Sequence, residues 1–159
     1  AVSIGDAAAA AVVGPSERDA IVDCEFDTES ALYEAAVITP APDAAGAARF
    51  GLAPGMLAAV HDHGIERPPA VIARLLARNG VSPGGVTLLA HQPTRVLMEQ
   101  WRRAIGPGAY LDTYDTLGNA TVASVPATFA LRRDEIATPF VVLMSPGPGM
   151  HVGALLVKR

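Results

Sequence analysis

The chain has 159 residues, half of them apolar, 18% charged, with a formal net charge of −4. That length accommodates one domain with a sizeable core, and the acidic balance argues against a nucleic-acid partner, which calls for a basic surface. A lone cysteine, Cys24, excludes a disulfide framework and makes a reducing cytoplasm the expected location. The scarcity of charge leaves two readings open: an alanine-rich composition, or an apolar face covered by another domain or subunit.

No secretory signal is visible, because the opening AVSIGDAAAAAVVG lacks a basic start and carries Asp6. The longest charge-free run, 137–157, is broken by Pro139, Pro146 and Pro148, so no membrane-spanning helix is expected there. The chain opens without a methionine on a strand-like Ala-Val-Ser-Ile. It is therefore expected to be a processed or truncated piece, or one half of a longer polypeptide.

In chain order, 2–4 and 8–13 read as short strands around a Gly5-Asp6 turn. Residues 21–26 and 32–39 read as strands of a meander, and the Pro- and Gly-rich 40–55 as a loop. A helix from about 56 to 63 ends at Gly64, and Pro68-Pro69 opens a second one that runs to Asn79-Gly80. On this second helix Val71, Ile72, Leu75 and Leu76 share one face, with Arg74 and Arg78 pointing outward. Then come a buried-type strand at 86–90, a helix at 93–105 with Val96, Leu97 and Trp101 facing in, and a strand at 110–113. A helix over about 119–133 and strands at 140–144 and 152–157 complete the pattern. The alternation indicates one α/β domain whose sheet is at least partly parallel.

Functional groups of open α/β sheets collect just past the carboxyl ends of strands. His91 follows the 86–90 strand and precedes a helix N-terminus, whose dipole disfavours the imidazolium. The expectation is a neutral hydrogen-bond donor suited to an oxyanion; a polar residue in a loop is the alternative. Asn119 follows Gly118 at the next such junction, either as a helix cap or as a second donor beside His91. The third segment, Gly147-Pro148-Gly149, is a tight turn that lets backbone approach a ligand closely.

His91-Gln92-Pro93-Thr94, Gly118-Asn119-Ala120-Thr121-Val122-Ala123-Ser124 and Ser145-Pro146-Gly147-Pro148-Gly149-Met150-His151-Val152-Gly153 occur in this order. They resemble the histidine, asparagine and glycine-turn motifs of thiolase-fold condensing enzymes. The resemblance is to the β-ketoacyl-acyl carrier protein synthase III group and its chalcone-synthase-like relatives, and Ile4–Val13 is similar to a glycine-rich segment near that family's midpoint. The resemblance implies that residues 1–159 form the C-terminal half-domain, a mixed sheet flanked by helices. A missing N-terminal half would complete a five-layered αβαβα architecture. It implies His91 and Asn119 as the catalytic pair that stabilises a malonyl-derived enolate, the cysteine nucleophile coming from the other half. It implies acyl-coenzyme A or acyl carrier protein thioesters as substrates, no cofactor or metal, a homodimer of the complete enzyme, and no membrane partner. Thr94 stands where the motif usually has asparagine, and Pro148 replaces a glycine whose N–H is an oxyanion donor, so Gly149 or another amide would have to supply that bond.

The remaining features have plainer readings. Cys24 reads as a small buried hydrophobe rather than the nucleophile. His61-Asp62-His63 reads as a solvated helix end, since alternate helical residues point about 200° apart. Arg95, Arg102 and Arg103 form either a basic patch for an acyl carrier protein or coenzyme A, with Gly147 and Gly149 lining the same site, or a solvated face in which Glu99 pairs with Arg95. Three functions follow: condensation of an acyl with a malonyl thioester, acyl transfer to an alcohol or amine with His91 as general base, or an inert structural or dimerisation half. The isolated chain is expected to be inactive.

Overall fold

The strand Val86–Ala90 organises the molecule, for which a computed structural model describes residues 4–17, 20–40 and 48–159. The strands are β1 (Ala20–Thr28), β2 (Ala36–Pro40), β3 (Ala48–Leu52), β4 (Val86–Ala90), β5 (Ala109–Tyr110), β6 (Phe140–Gly147) and β7 (His151–Lys158). The helices are α1 (Leu57–Arg78), α2 (Arg95–Ile105), α3 (Tyr114–Leu117) and α4 (Ser124–Arg132). Five strands form one mixed sheet in the order β1-β7-β6-β4-β5, with β4 parallel to both neighbours and β6, β7 and β1 antiparallel in turn.

Every residue of β4 is buried, and alternation sorts its side chains onto two faces. Val86, Leu88 and Ala90 join Val142 and Met144 of β6 and Val152, Ala154 and Leu156 of β7 under α1 and α2. Leu89, Val141 and Val157 face the other way, against Val125 and Phe129 of α4. The sheet is thus flanked by helices on both sides, as expected. Ile21, Cys24 and Phe26 of β1 are exposed, as are Ile4, Val12, Val13 and Val122. Among the described residues, no helix is long and apolar enough to cross a membrane.

Several sequence expectations are corrected. Residues 8–13 form no strand; the described contact at that end is a single bridge from Ile4 to Asn119. Of the expected 2–4 strand, residues 2 and 3 lie outside the described residues. The meander is absent too: β1 pairs with β7 at the far end of the chain, and a 3₁₀ turn at Ser30–Ala35 precedes β2. Within the expected loop, Ala48–Leu52 pairs with β2.

The two expected helices are one, continuous through Gly64, Pro68 and Pro69. Proline at 68 removes the bond its N–H would have made to the Gly64 carbonyl. Trp101 of α2 replaces it, its indole Nε1–H donating to Gly64 O at 2.7 Å. On α2 Leu97 and Trp101 face in as expected, together with Met98 and Ile105, while Val96 is exposed. The expected strand 110–113 is shortened to Ala109–Tyr110, and the expected 119–133 helix begins only at Ser124, after a 3₁₀ turn.

Arg74 and Arg78 face outward as expected, and both are also paired with acids of β1. Arg74 donates to Glu25 and Asp27 at 2.8 Å each, and Arg78 reaches Asp23 at 2.8 Å and Glu25 at 2.6 Å. Arg67 adds Glu29 at 3.1 Å. The acids alternate along β1 and so share one face. That alternation turns Cys24 to the opposite, exposed face, which corrects its reading as a buried hydrophobe.

Candidate active site

His91 extends β4 by one residue: its backbone N–H donates to Met144 O at 2.8 Å, continuing the β4–β6 ladder before the chain turns away. Thr94 caps α2, its hydroxyl accepting from the Leu97 N–H at 3.2 Å. The ring of His91 is half-buried, and Nδ1 lies 3.2 Å from the carbonyl oxygen of Thr121.

Asn119 reaches the same place from the other side. Gly118 turns the chain with φ 63° and ψ −148°, a backbone shape that is essentially confined to glycine. The Asn119 carbonyl is tied to the N-terminal segment by the Gly5 N–H at 3.0 Å. Its side-chain Oδ1 accepts the Thr121 N–H at 3.0 Å. With the oxygen committed, the Nδ2 hydrogens are the free donors of this amide. Thr121, held by both candidates, has φ 48°, an unfavourable conformation for a β-branched residue. Backbone strain therefore sits where His91 and Asn119 meet.

The hydrogen bond also fixes the polarity of the histidine. A carbonyl oxygen only accepts, so Nδ1 carries a proton and, in the neutral ring, Nε2 carries the lone pair. Burial pushes the His91 pKa below its ordinary value, opposed by the Thr121 carbonyl. The neutral ring is thus favoured by burial, and its free nitrogen is an acceptor rather than the donor expected from the sequence. Nε2 donates only when the ring is doubly protonated.

The glycine turn is a β6–β7 hairpin with Gly149 at φ 77° and Met150 at φ 58°. The Gly149 N–H donates to Ala36 O at 2.9 Å, and Met150 O accepts from Glu29 N at 3.0 Å. Met150 is buried against Ala35 and Ala36. These groups tie the hairpin to the 29–36 segment, and Pro148 has no N–H to offer. Gly147 ends β6 opposite His151, and Thr28 Oγ1 lies 2.9 Å from His151 Nδ1.

The three candidate arginines are paired with acids of the chain itself. Arg95 bonds Asp112 at 3.1 Å, also pairs with Asp115, and lies over the Tyr114 ring. Glu99 pairs with Arg102 and Arg103 at 2.7 Å each, rather than with Arg95. His61 and Asp62 are exposed but His63 is buried, all three inside α1 rather than at a helix end. Among the described residues, no group of His, Cys, Asp and Glu could hold a metal ion. Sequence reasoning assigned nothing to Gln92, yet its side chain is fully buried one residue after His91. Its position between a strand-end histidine and a helix start was the available signal.

No family model and no curated protein matches the chain. Solved structures do. The 3-oxoacyl-(acyl carrier protein) synthase III of Pseudomonas aeruginosa superposes with a TM-score of 0.74 at 20% identity, over 92% of this chain and 46% of the synthase. The type III polyketide synthase domain of Steely1 from Dictyostelium gives 0.62 at 15%, over 89% and 40%. The acyltransferase ChlB3 gives 0.65 at 17%, over 91% and 47%. The chain spans about half the length of each, and what it shares with them is one αβ half of a thiolase-like fold.

Proposed function

We propose that this chain is the histidine- and asparagine-bearing half of an enzyme that condenses acyl thioesters, a separate half supplying the cysteine nucleophile. The observation that carries this reading is the convergence on Thr121. His91 takes its carbonyl and Asn119 its N–H, leaving Nε2 of one and Nδ2 of the other uncommitted at one strand-end site. A malonyl thioester oxygen between them would accept from Asn119 Nδ2 and, with the ring doubly protonated, from His91 Nε2. As the bond to the carboxylate breaks and carbon dioxide leaves, the electron pair passes to that oxygen, and the enolate carbon attacks the acyl group on the cysteine. The cysteine thiolate departs.

The Nδ1–H polarity favours a second reading. A neutral His91 presents a lone pair at Nε2, the state a general base needs for acyl transfer to an alcohol or amine. The two readings require opposite protonation states. The test is reconstitution with a cysteine-bearing half, followed by carbon dioxide release from a malonyl thioester and acyl transfer to hydroxyl and amine acceptors between about pH 5 and 8. Condensation through a doubly protonated His91 loses rate as pH rises through the lowered pKa, whereas the base mechanism gains rate over the same interval. Acyl transfer without carbon dioxide release at any pH sinks the condensation reading, and His91→Ala should abolish either activity.

A further inference from the structure

Gln92 is fully buried, and its amide uses both ends. Nε2 donates to Thr128 Oγ1 at 2.7 Å, to Thr113 Oγ1 at 3.3 Å and to the Ser124 carbonyl at 3.5 Å. Oε1 accepts from the Thr113 N–H at 3.2 Å and from its hydroxyl at 3.4 Å. The two threonine hydroxyls close the ring at 2.9 Å. Thr113, Ser124 and Thr128 are all buried, so the network is dry and its geometry is constrained.

The partners lie on either side of Asn119 in the chain. Thr113 precedes the segment 114–123, and Ser124 and Thr128 occupy the first two turns of α4 after it. Both ends of the segment carrying Asn119 and Thr121 are therefore fastened to the residue that follows His91. We propose that Gln92 is a positioning residue: through Thr113, Ser124 and Thr128 it sets where the Thr121 carbonyl and Asn119 stand relative to the His91 ring. The inference rests on reading His91 and Asn119 as one site, though its first test does not. An amide suits the task because it donates and accepts at once; methionine has a similar shape but cannot donate and accepts only weakly.

The test is ¹⁵N NMR of the His91 ring in the 159-residue chain, comparing Gln92→Met with Thr87→Val. Thr87 is a control for losing a buried polar pair on β4, since its hydroxyl bonds Thr138 at 2.7 Å and takes no part in the site. The wild type should show the Nδ1-protonated tautomer. Gln92→Met should shift the ring toward the mixture of a free imidazole, while Thr87→Val loses melting temperature and leaves the ring signals unchanged. In the reconstituted enzyme Gln92→Met should lower kcat about 100-fold with little change in KM, the penalty for misplacing a reacting group by about 1 Å. A wild-type tautomer in Gln92→Met overturns the proposal. If that variant does not fold, Thr128→Val is read in its place: it leaves Gln92 bonded to Thr113, a partial shift is expected, and an unmoved ring overturns the proposal. Absence of acyl chemistry in the reconstituted wild type would instead count against the site reading, leaving the ring measurement to judge Gln92 alone.

Discussion

The two sides of the sheet are held by different physics. Around β4 the chain is closed to solvent: all five residues are buried, and the neutral side chains of Gln92, Thr113 and Thr128 are bonded to one another. At the opposite edge, β1 is attached to α1 by alternating carboxylates that meet Arg67, Arg74 and Arg78, while its other face lies open. Interior hydrogen bonds are insensitive to salt, whereas exposed ion pairs are screened by it. A site placed at the end of β4 thus inherits a fixed geometry, and β1 remains the edge that solution conditions loosen first.

The largest expected effect probes the closed side. Trp101 is fully buried and caps the carbonyl freed by Pro68, so Trp101→Ala should cost about 3–5 kcal/mol in denaturant unfolding. Phe26→Ala on β1, where the ring is 69% exposed, should cost about 0.5 kcal/mol or less. Comparable losses at the two positions would break the contrast.

An intermediate effect is expected at Gly5, whose backbone anchors Asn119. A Cβ there would stand 1.8 Å from the Leu117 carbonyl oxygen, so Gly5→Ala must displace one side of that contact. The cost should be about 1–3 kcal/mol, typical of forcing atoms into packed space. The Asn119 side-chain amide resonances should move with it. Unchanged resonances would mean that the N-terminal segment does not position Asn119.

The smallest effect sharpens the other half of the comparison. Arg78 and Arg74 hold the Asp23 and Glu25 carboxyls below the usual carboxylate range. Because the folded values are depressed, this stabilisation is fully present above the unfolded pKa of about 4 and is lost as pH falls through the folded values. Arg78→Met should therefore flatten the acid limb of the stability curve. Added salt near 1 M should weaken the wild type more than the variant, the screening length then being about 3 Å. Equal salt responses would show that the ladder contributes nothing measurable.

Local patterns were legible in the sequence. The strand 86–90, the capped helix after it and the positions of His91 and Asn119 past strand and loop ends all follow from hydrophobic runs, caps and glycines within a few residues. The Gly64 stop failed because the partner that rescues the helix, Trp101, lies 37 residues away. The acid partners of Arg78 were not legible because Asp23 lies 55 residues back along the chain, and Cys24 was misread because the same acids claim the inner face of β1. For Gln92 only its position was legible, and its partners were not, since each of them lies outside the local stretch that carries it.

What the sequence determined by itself was which residues stand at the turns, because strand and helix periods are set by neighbours along the chain. Only the tertiary structure decided how those residues are used. The proton of His91 is directed by a carbonyl thirty residues on, and the Gly149 amide is taken up by Ala36. A hydrogen bond needs both partners within about 3 Å, and such proximity across the chain exists only once the sheet has assembled.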